Sequence, residues 1–204
     1  MSPVAQPARS GLTVLPADLL WRLSVEQYHA MIAAGILTEN DPVELLAGWL
    51  ISKMPKNPRH SLSTELTREA LAGLVPAEWH VRSQEPITLP DSEPEPDVAI
   101  ARGDRRRYRD RHPGAGDLAL VVEVSDASLE RDRTIKKQLY AEAGIETYWI
   151  LNLQEGLLEE YSEPTQEAGH PDYARRRGYG LTEAVPVRID GREAGSIAVR
   201  ELLP

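Results

Sequence analysis

Leu118-Ala119-Leu120-Val121-Val122-Glu123-Val124 is followed, after a polar stretch over residues 128–143, by Glu146-Thr147-Tyr148-Trp149-Ile150-Leu151-Asn152. These three segments decide the fold. The first and last are short, apolar and bounded by breakers, so they read as buried strands. The middle segment reads as a helix, from about Ser128 to Ala143, that Gly144 stops. Strand, helix and strand in that order predict a right-handed crossover and parallel pairing. Leu157 to Tyr161 then returns as an antiparallel partner. The expected fold is α/β, a mixed central sheet flanked by helices.

Working towards the N-terminus, Pro96-Asp97-Val98-Ala99-Ile100 reads as a further buried strand, preceded by one near Trp79 to Leu89. Asn57-Pro58 caps a helix whose expected apolar face carries Leu62, Leu66 and Ala70. Val43 to Met54 reads as a hairpin turning at Ala47-Gly48. Ser24 with Gln27 makes a capping-box pattern for a first helix, with Val25, Tyr28, Ile32 and Ala33 on its apolar face. Towards the C-terminus, residues 163–180 are polar and rich in Gly, Arg and Glu, and read as a mobile loop. Val185 to Leu203 offers short strands. The expected organisation is a loose arm over residues 1–17 and one domain over 18–204.

The chain has 204 residues, 41% of them hydrophobic, which excludes disorder throughout. It has no cysteine, so thiolate and disulfide chemistry are excluded. With no apolar leader in the first residues and no apolar run of bilayer length, the expectation is a cytoplasmic protein without a membrane partner. A net charge of −9 argues against a general nucleic-acid coat. The charge is uneven, however. Arginines 105, 106, 107, 109 and 111 crowd one stretch, and Arg175, Arg176 and Arg177 another. Local patches decide phosphate contact better than net charge does.

Asp97 and Glu123 are the chemical signal. A carboxylate inside an apolar strand is costly unless something pairs with it. Two of them on neighbouring strands are the ligand type that magnesium prefers. Strand alternation puts Glu123 and Ser125 on one face. On the following helix, Asp132, Lys136 and Tyr140 are spaced by four and form one stripe. Ile135 and Leu139 form the adjacent apolar stripe expected to pack on the sheet. Lys136, at the edge of that face, could then reach towards Glu123 and orient the attacking water or stabilise the pentavalent phosphate.

Taken singly, these residues keep plainer readings. Asp97 follows a proline and suits a turn. Glu123 suits a salt bridge to an arginine, and Lys136 a surface bridge to Asp132. Glu44 suits a hairpin charge, His60 a helix-start residue, and the arginine run a solvated loop. A sugar hydrolase using paired carboxylates is a weaker alternative, because aromatic residues make up only 5%.

In order along the chain stand Val43-Glu44-Leu45-Leu46-Ala47-Gly48, Pro58-Arg59-His60, Pro96-Asp97-Val98, Val121-Val122-Glu123-Val124-Ser125, Arg131-Asp132, Lys136 with Tyr140, and Ala143-Gly144-Ile145-Glu146-Thr147-Tyr148-Trp149-Ile150. Over about Tyr28 to Tyr161 this series resembles the Uma-type restriction endonucleases, a branch of the PD-(D/E)XK nuclease superfamily. The resemblance implies a restriction-endonuclease-like fold and a magnesium- or manganese-dependent endonuclease acting on DNA as a homodimer. It implies Asp97 and Glu123 as metal ligands, Lys136 as the catalytic lysine and Glu44 as a further acidic member of the site. His60 matches a frequent histidine and, with Arg105, Arg106 and Arg107, is the expected nucleic-acid contact. The superfamily usually has lysine two residues after the second acid, where this chain has Ser125. In this branch the lysine is displaced to the helix, at Lys136. A catalytically silent nuclease-like fold that binds nucleic acid or a protein partner is the alternative.

Overall fold

The computed structural model describes residues 19–166 and 169–204. The expected arm over residues 1–17 lies outside the described residues. In chain order the elements begin with helix α1 (Val25–Ala33), the hairpin strands β1 (Val43–Leu46) and β2 (Trp49–Ser52), and helix α2 (Pro58–Ala72). Strands β3 (Trp79–Ser83), β4 (Val98–Arg102) and β5 (Leu118–Ser125) follow. A helix then runs through α3 (Leu129–Arg131), a π-helical turn over Asp132–Lys136, and α4 (Lys137–Glu142). The chain continues through β6 (Thr147–Asn152), β7 (Leu157–Thr165), β8 (Asp172–Tyr179), β9 (Ala184–Ile189) and β10 (Arg192–Ala198).

The central sheet has the order β3-β4-β5-β6-β7-β8. Only β5 and β6 pair in parallel, joined by the helical crossover, so the sheet is mixed as expected. Both middle strands are buried along their whole length, which accounts for their unbroken apolar character. One face packs Val122, Val124 and Trp149 against Leu71 of α2 and against Val187 and Ile197 of the β9–β10 hairpin. The other packs Val121, Tyr148 and Ile150 against Tyr140 and Ala141 of α4. Glu123 falls between the valines of the first face, so alternation sends it to the second, under the helix.

The local signals hold. Ser24 and Gln27 form a reciprocal capping box on α1. Asn57 caps α2 by accepting from the His60 amide, with Pro58 in the first turn. The β1–β2 hairpin turns through Ala47 and Gly48, both at positive φ (49° and 78°), the geometry of a two-residue hairpin loop.

Three expectations are corrected. First, residues 163–180 are not a loop: β7 extends to Thr165 and β8 pairs with it from Asp172 to Tyr179. Such a charged stretch suits an edge strand, whose exposed arginines discourage pairing with other chains. Second, α2 does not bury Leu62, which is 49% exposed. It buries Ser63, Thr64, Thr67 and Leu71, and the Ser63 hydroxyl donates to the Leu202 carbonyl. His60, Thr64, Thr67 and Leu71 share one helical stripe, so packing this face also turns His60 inward. Third, Ile135 does not pack on the sheet. It is 43% exposed, while Asp132, Lys136 and Tyr140 are buried. The π-helical turn holds an extra residue and re-aims the face of the helix that meets the sheet.

On β7, Glu159 is fully buried and accepts from Arg133 Nε (3.0 Å), Arg176 Nη2 (3.1 Å) and the Tyr161 hydroxyl (2.6 Å). Burial pushes its carboxyl up, but the hydrogen bonds from Arg133 and Tyr161 outweigh burial and hold it below the ordinary glutamate range. A depressed carboxylate stabilises the fold above its unfolded pKa and loses that contribution as pH falls through its folded value. Glu159→Gln is therefore expected to lower stability at pH 7 by about 2–3 kcal/mol and to shrink the loss seen on acidification. Urea unfolding of both proteins between neutral and acid pH checks this.

Candidate active site

The antiparallel register of β4 on β5, with Val98 opposite Val122, sets Asp97 across from Glu123. Asp97 stands just before β4. Its Oδ2 accepts from the Val124 amide (2.9 Å) and meets His60 Nε2 at 3.1 Å. Glu123 lies under the helix, where its Oε1 accepts from Lys136 Nζ (2.8 Å) and from the Tyr140 hydroxyl (2.7 Å). Glu44, on β1, lies 3.6 Å from the same ammonium, and its Oε2 accepts from the Glu95 amide. These side chains are all nearly buried; Lys136 itself is 3% exposed.

Asp132 completes the cluster. Its Oδ2 accepts from the Ser125 and Ser128 hydroxyls at 2.7 and 2.6 Å, while its buried Oδ1 has no partner. Tyr148 donates to the Asp132 backbone carbonyl (3.1 Å), inside the π-helical turn. Glu44, His60, Asp97, Glu123, Asp132 and Lys136 together line a cavity of about 80 Å³. That is room for several waters.

The electrostatics are lopsided. Lys136 faces Glu123, Glu44 and Asp132. Burial lowers its pKa, but those carboxylates outweigh burial and hold it protonated, above the ordinary lysine range. Glu123 is pushed up to about 8, chiefly by burial, with Asp132, Asp97 and Glu44 adding repulsion that Lys136 only partly offsets. The two directions agree once the cluster is treated as a unit: one buried ammonium does not neutralise four carboxylates. The cavity therefore favours additional positive charge, whether a proton or a cation.

The structure thus brings Asp97, Glu123, Lys136, Glu44 and His60 together. It does not bring Arg105, Arg106 and Arg107 to them. Those arginines form a single turn after β4, beyond the strand end opposite to Asp97. There Arg107 pairs with Asp117 (3.1 Å) and Arg105 reaches the Val81 carbonyl (3.5 Å). Reading the sequence singled out neither Asp132 as a site carboxylate nor Tyr140 as a donor to Glu123. Their spacing of four on either side of Lys136 was the available signal. Asn57, whose side-chain amide donates to Asp126 (2.7 Å), and Arg131, 4.0 Å from Glu44, also line the cavity and had no signal beyond helix capping and adjacency to Asp132.

Residues 25–188 match the Uma2 family, whose description is "Putative restriction endonuclease". The fold is similar to the crystal structure of "a putative nuclease belonging to DUF820 from Anabaena variabilis", with a TM-score of 0.69 at 15% identity. That likeness covers 88% of this chain and 97% of the other. No curated protein matches the chain. Among the described residues no helix is long and apolar enough to cross a membrane.

The cluster makes a stability prediction. In Lys136→Met, Glu123 and Glu44 lose their buried counter-charge, at an expected cost of about 3 kcal/mol near pH 8. In wild type Glu123, pushed up to about 8, keeps a proton that the unfolded chain releases above the ordinary value of 4.5, so stability falls with rising pH until Glu123 ionises beside Lys136. Without that ammonium Glu123 stays protonated to higher pH, and the variant goes on losing stability above 8. Denaturant midpoints of wild type and variant at pH 7 and pH 9 check this. The gap between them should be wider at pH 9.

Proposed function

The chain belongs to the Uma2 family, and on that premise we propose that it is a metal-dependent endonuclease hydrolysing DNA phosphodiester bonds. The observation that carries this reading is the meeting of Asp97, Glu123 and Glu44 with a buried lysine ammonium in one small cavity. A family nuclease reading alone does not require such an arrangement, and a purely structural core rarely pays the desolvation of so many charges.

The residues present fit a magnesium or manganese ion. Asp97 and Glu123 offer hard oxygen donors, and their protein hydrogen bonds fall on one oxygen each, Oδ2 and Oε1. The cluster carries excess negative charge. Among the described residues no three His, Asp or Glu side chains are arranged as a ready-made metal cage. Magnesium does not need one, since it commonly takes one or two carboxylates and completes its shell with water and phosphate. Asp97 and Glu123 would hold the ion, with Glu44 as a further acidic member of the site. When bound, such an ion supplies charge neutralisation at the phosphate and lowers the pKa of water.

The chain's own groups do the rest. Lys136, kept protonated by its carboxylate neighbours, is a fixed cation able to stabilise charge on a pentavalent phosphate. Tyr140 and Lys136 together hold Glu123, and the Val124 amide with His60 holds Asp97, so both carboxylates are oriented in advance. The homodimer belongs to the same reading and rests on the family resemblance; light scattering of the purified chain checks it. The competing reading is a silent nuclease-like binder. It draws on Ser125, whose hydroxyl is engaged with Asp132 where the superfamily usually has its lysine.

The deciding experiment incubates supercoiled plasmid with the protein and magnesium or manganese, against a chelator control. Cleavage is expected only with metal, and Asp97→Ala and Lys136→Ala should each slow it by at least about 100-fold. Metal should also raise the melting temperature of wild type and not that of Asp97→Ala. Intact plasmid under every metal condition would favour the silent binder.

A further inference from the structure

Arg105 does not reach the Asp97 cavity, yet it borders a second cleft that starts beside it. This cleft, of about 460 Å³, follows the free edge of β3 and is lined by Arg68 of α2, by His80, Arg82 and Ser83 of β3, and by Arg105 and Tyr108. Its inner end reaches the backbone of Asp97. The Ser83 hydroxyl donates to the Asp97 carbonyl (3.0 Å), and the Gln84 amide donates to the same oxygen (3.1 Å). Helix α2 runs alongside: His60 meets Asp97, and Arg68 follows eight residues on, about 12 Å along the axis.

The lining is cationic. Arg68, Arg82 and Arg105 face a single lining carboxylate, Glu85. Arg82 is nine-tenths buried, lies over the Tyr108 ring (5.7 Å), and its buried Nε–H has no hydrogen-bond partner. An unpaired donor on a buried guanidinium is costly, and an anion in the cleft would relieve it. Arg82 pairs with Glu85, and Arg68 with Glu65 and Glu69, carboxylates that are 57%, 60% and 67% exposed. The exposed pairs of Arg68 contribute little and are easily exchanged, and guanidinium binds phosphate in a bidentate, charge-assisted way. Tyr108 is buried, and its hydroxyl donates to the Arg102 carbonyl, so its ring is not presented to stack a base.

We propose that this cleft seats backbone phosphates of a polynucleotide strand leading into the Asp97–Glu123 cavity, with Arg68, Arg82 and Arg105 as the contacts. The proposal rests on the nuclease reading and adds the path of the substrate. It makes the contact independent of base sequence, because only phosphate is recognised.

The test is binding of a fluorescent oligonucleotide to the full chain, in chelator, over a range of salt. Arg68→Gln and Arg105→Gln should each weaken binding several-fold and flatten the logarithmic salt slope by about 0.7–0.9. Arg192→Gln, the same charge change at an exposed position on β10 outside the cleft, should alter neither. Arg82→Gln should lose more. If that variant fails to fold, the two exposed arginines carry the test. The proposal is overturned if wild type does not bind, if Arg68→Gln and Arg105→Gln keep the wild-type slope, or if inorganic phosphate competes as well as the oligonucleotide does. Arginine-dependent binding without metal-dependent cleavage would sink the nuclease reading and keep the cleft. Cleavage with arginine-independent binding would do the reverse.

Discussion

A lysine ammonium buried among carboxylates is the interaction on which the rest of this structure depends. Lys136 Nζ lies 2.8 Å from Glu123 and 3.6 Å from Glu44, at 3% exposure. A charge in such a place is tolerated only with partners at close range. Those partners come from distant parts of the chain: Glu44 from the first hairpin and Glu123 from the central strand, the latter held also by the Tyr140 hydroxyl one helical turn after Lys136. The cluster therefore ties the hairpin, the sheet and the crossover helix to one another. The π-helical turn over Asp132–Lys136 belongs to the same arrangement. It gives the sheet a polar stripe of Asp132, Lys136 and Tyr140 and leaves Ile135 in solvent.

The cluster is also unbalanced, and that imbalance connects structure to chemistry. A core built only for stability would pair its charges or replace them with apolar residues. Here burial and repulsion push Glu123 up to about 8, while Lys136 stays charged. Glu159, on the same face of the sheet, shows the contrast. It is as deeply buried, but two arginines and a tyrosine satisfy it, and its carboxyl is held down. One carboxylate cluster is closed and structural. The other is open to a cavity and short of positive charge, which is how titratable groups are arranged at many functional sites.

Several features were readable before any coordinates. The β5–helix–β6 crossover was legible because unbroken apolar runs and a glycine stop are local signals. The capping box at Ser24 and the turn at Ala47-Gly48 were legible for the same reason. The Asp97 and Glu123 strands were legible because a carboxylate among valines is conspicuous. Strand β8 was not. Its inward side chains are mainly Tyr173 and Tyr179, at its two ends, and the arginines between them carry no apolar alternation. The buried face of α2 is not legible in the sequence because Ser63 and Thr67 are small and polar. They are buried through close packing and, for Ser63, a hydrogen bond to a carbonyl 139 residues away.

The sequence by itself determined the fold class, the order of the elements apart from β8, and the presence of the two strand carboxylates, because these follow from local periodicity and from the cost of burying charge. Only the tertiary structure decided which partners those carboxylates have. It drew Glu44, His60, Asp132 and Lys136 into one cavity, left Arg106 and Arg107 away from it, and placed Arg68, Arg82 and Arg105 along one strand edge. The physical reason is that helix rotation and sheet register set side-chain meetings across long separations. A pattern of residues along the chain records which side chains are apolar, but not which charged ones will meet.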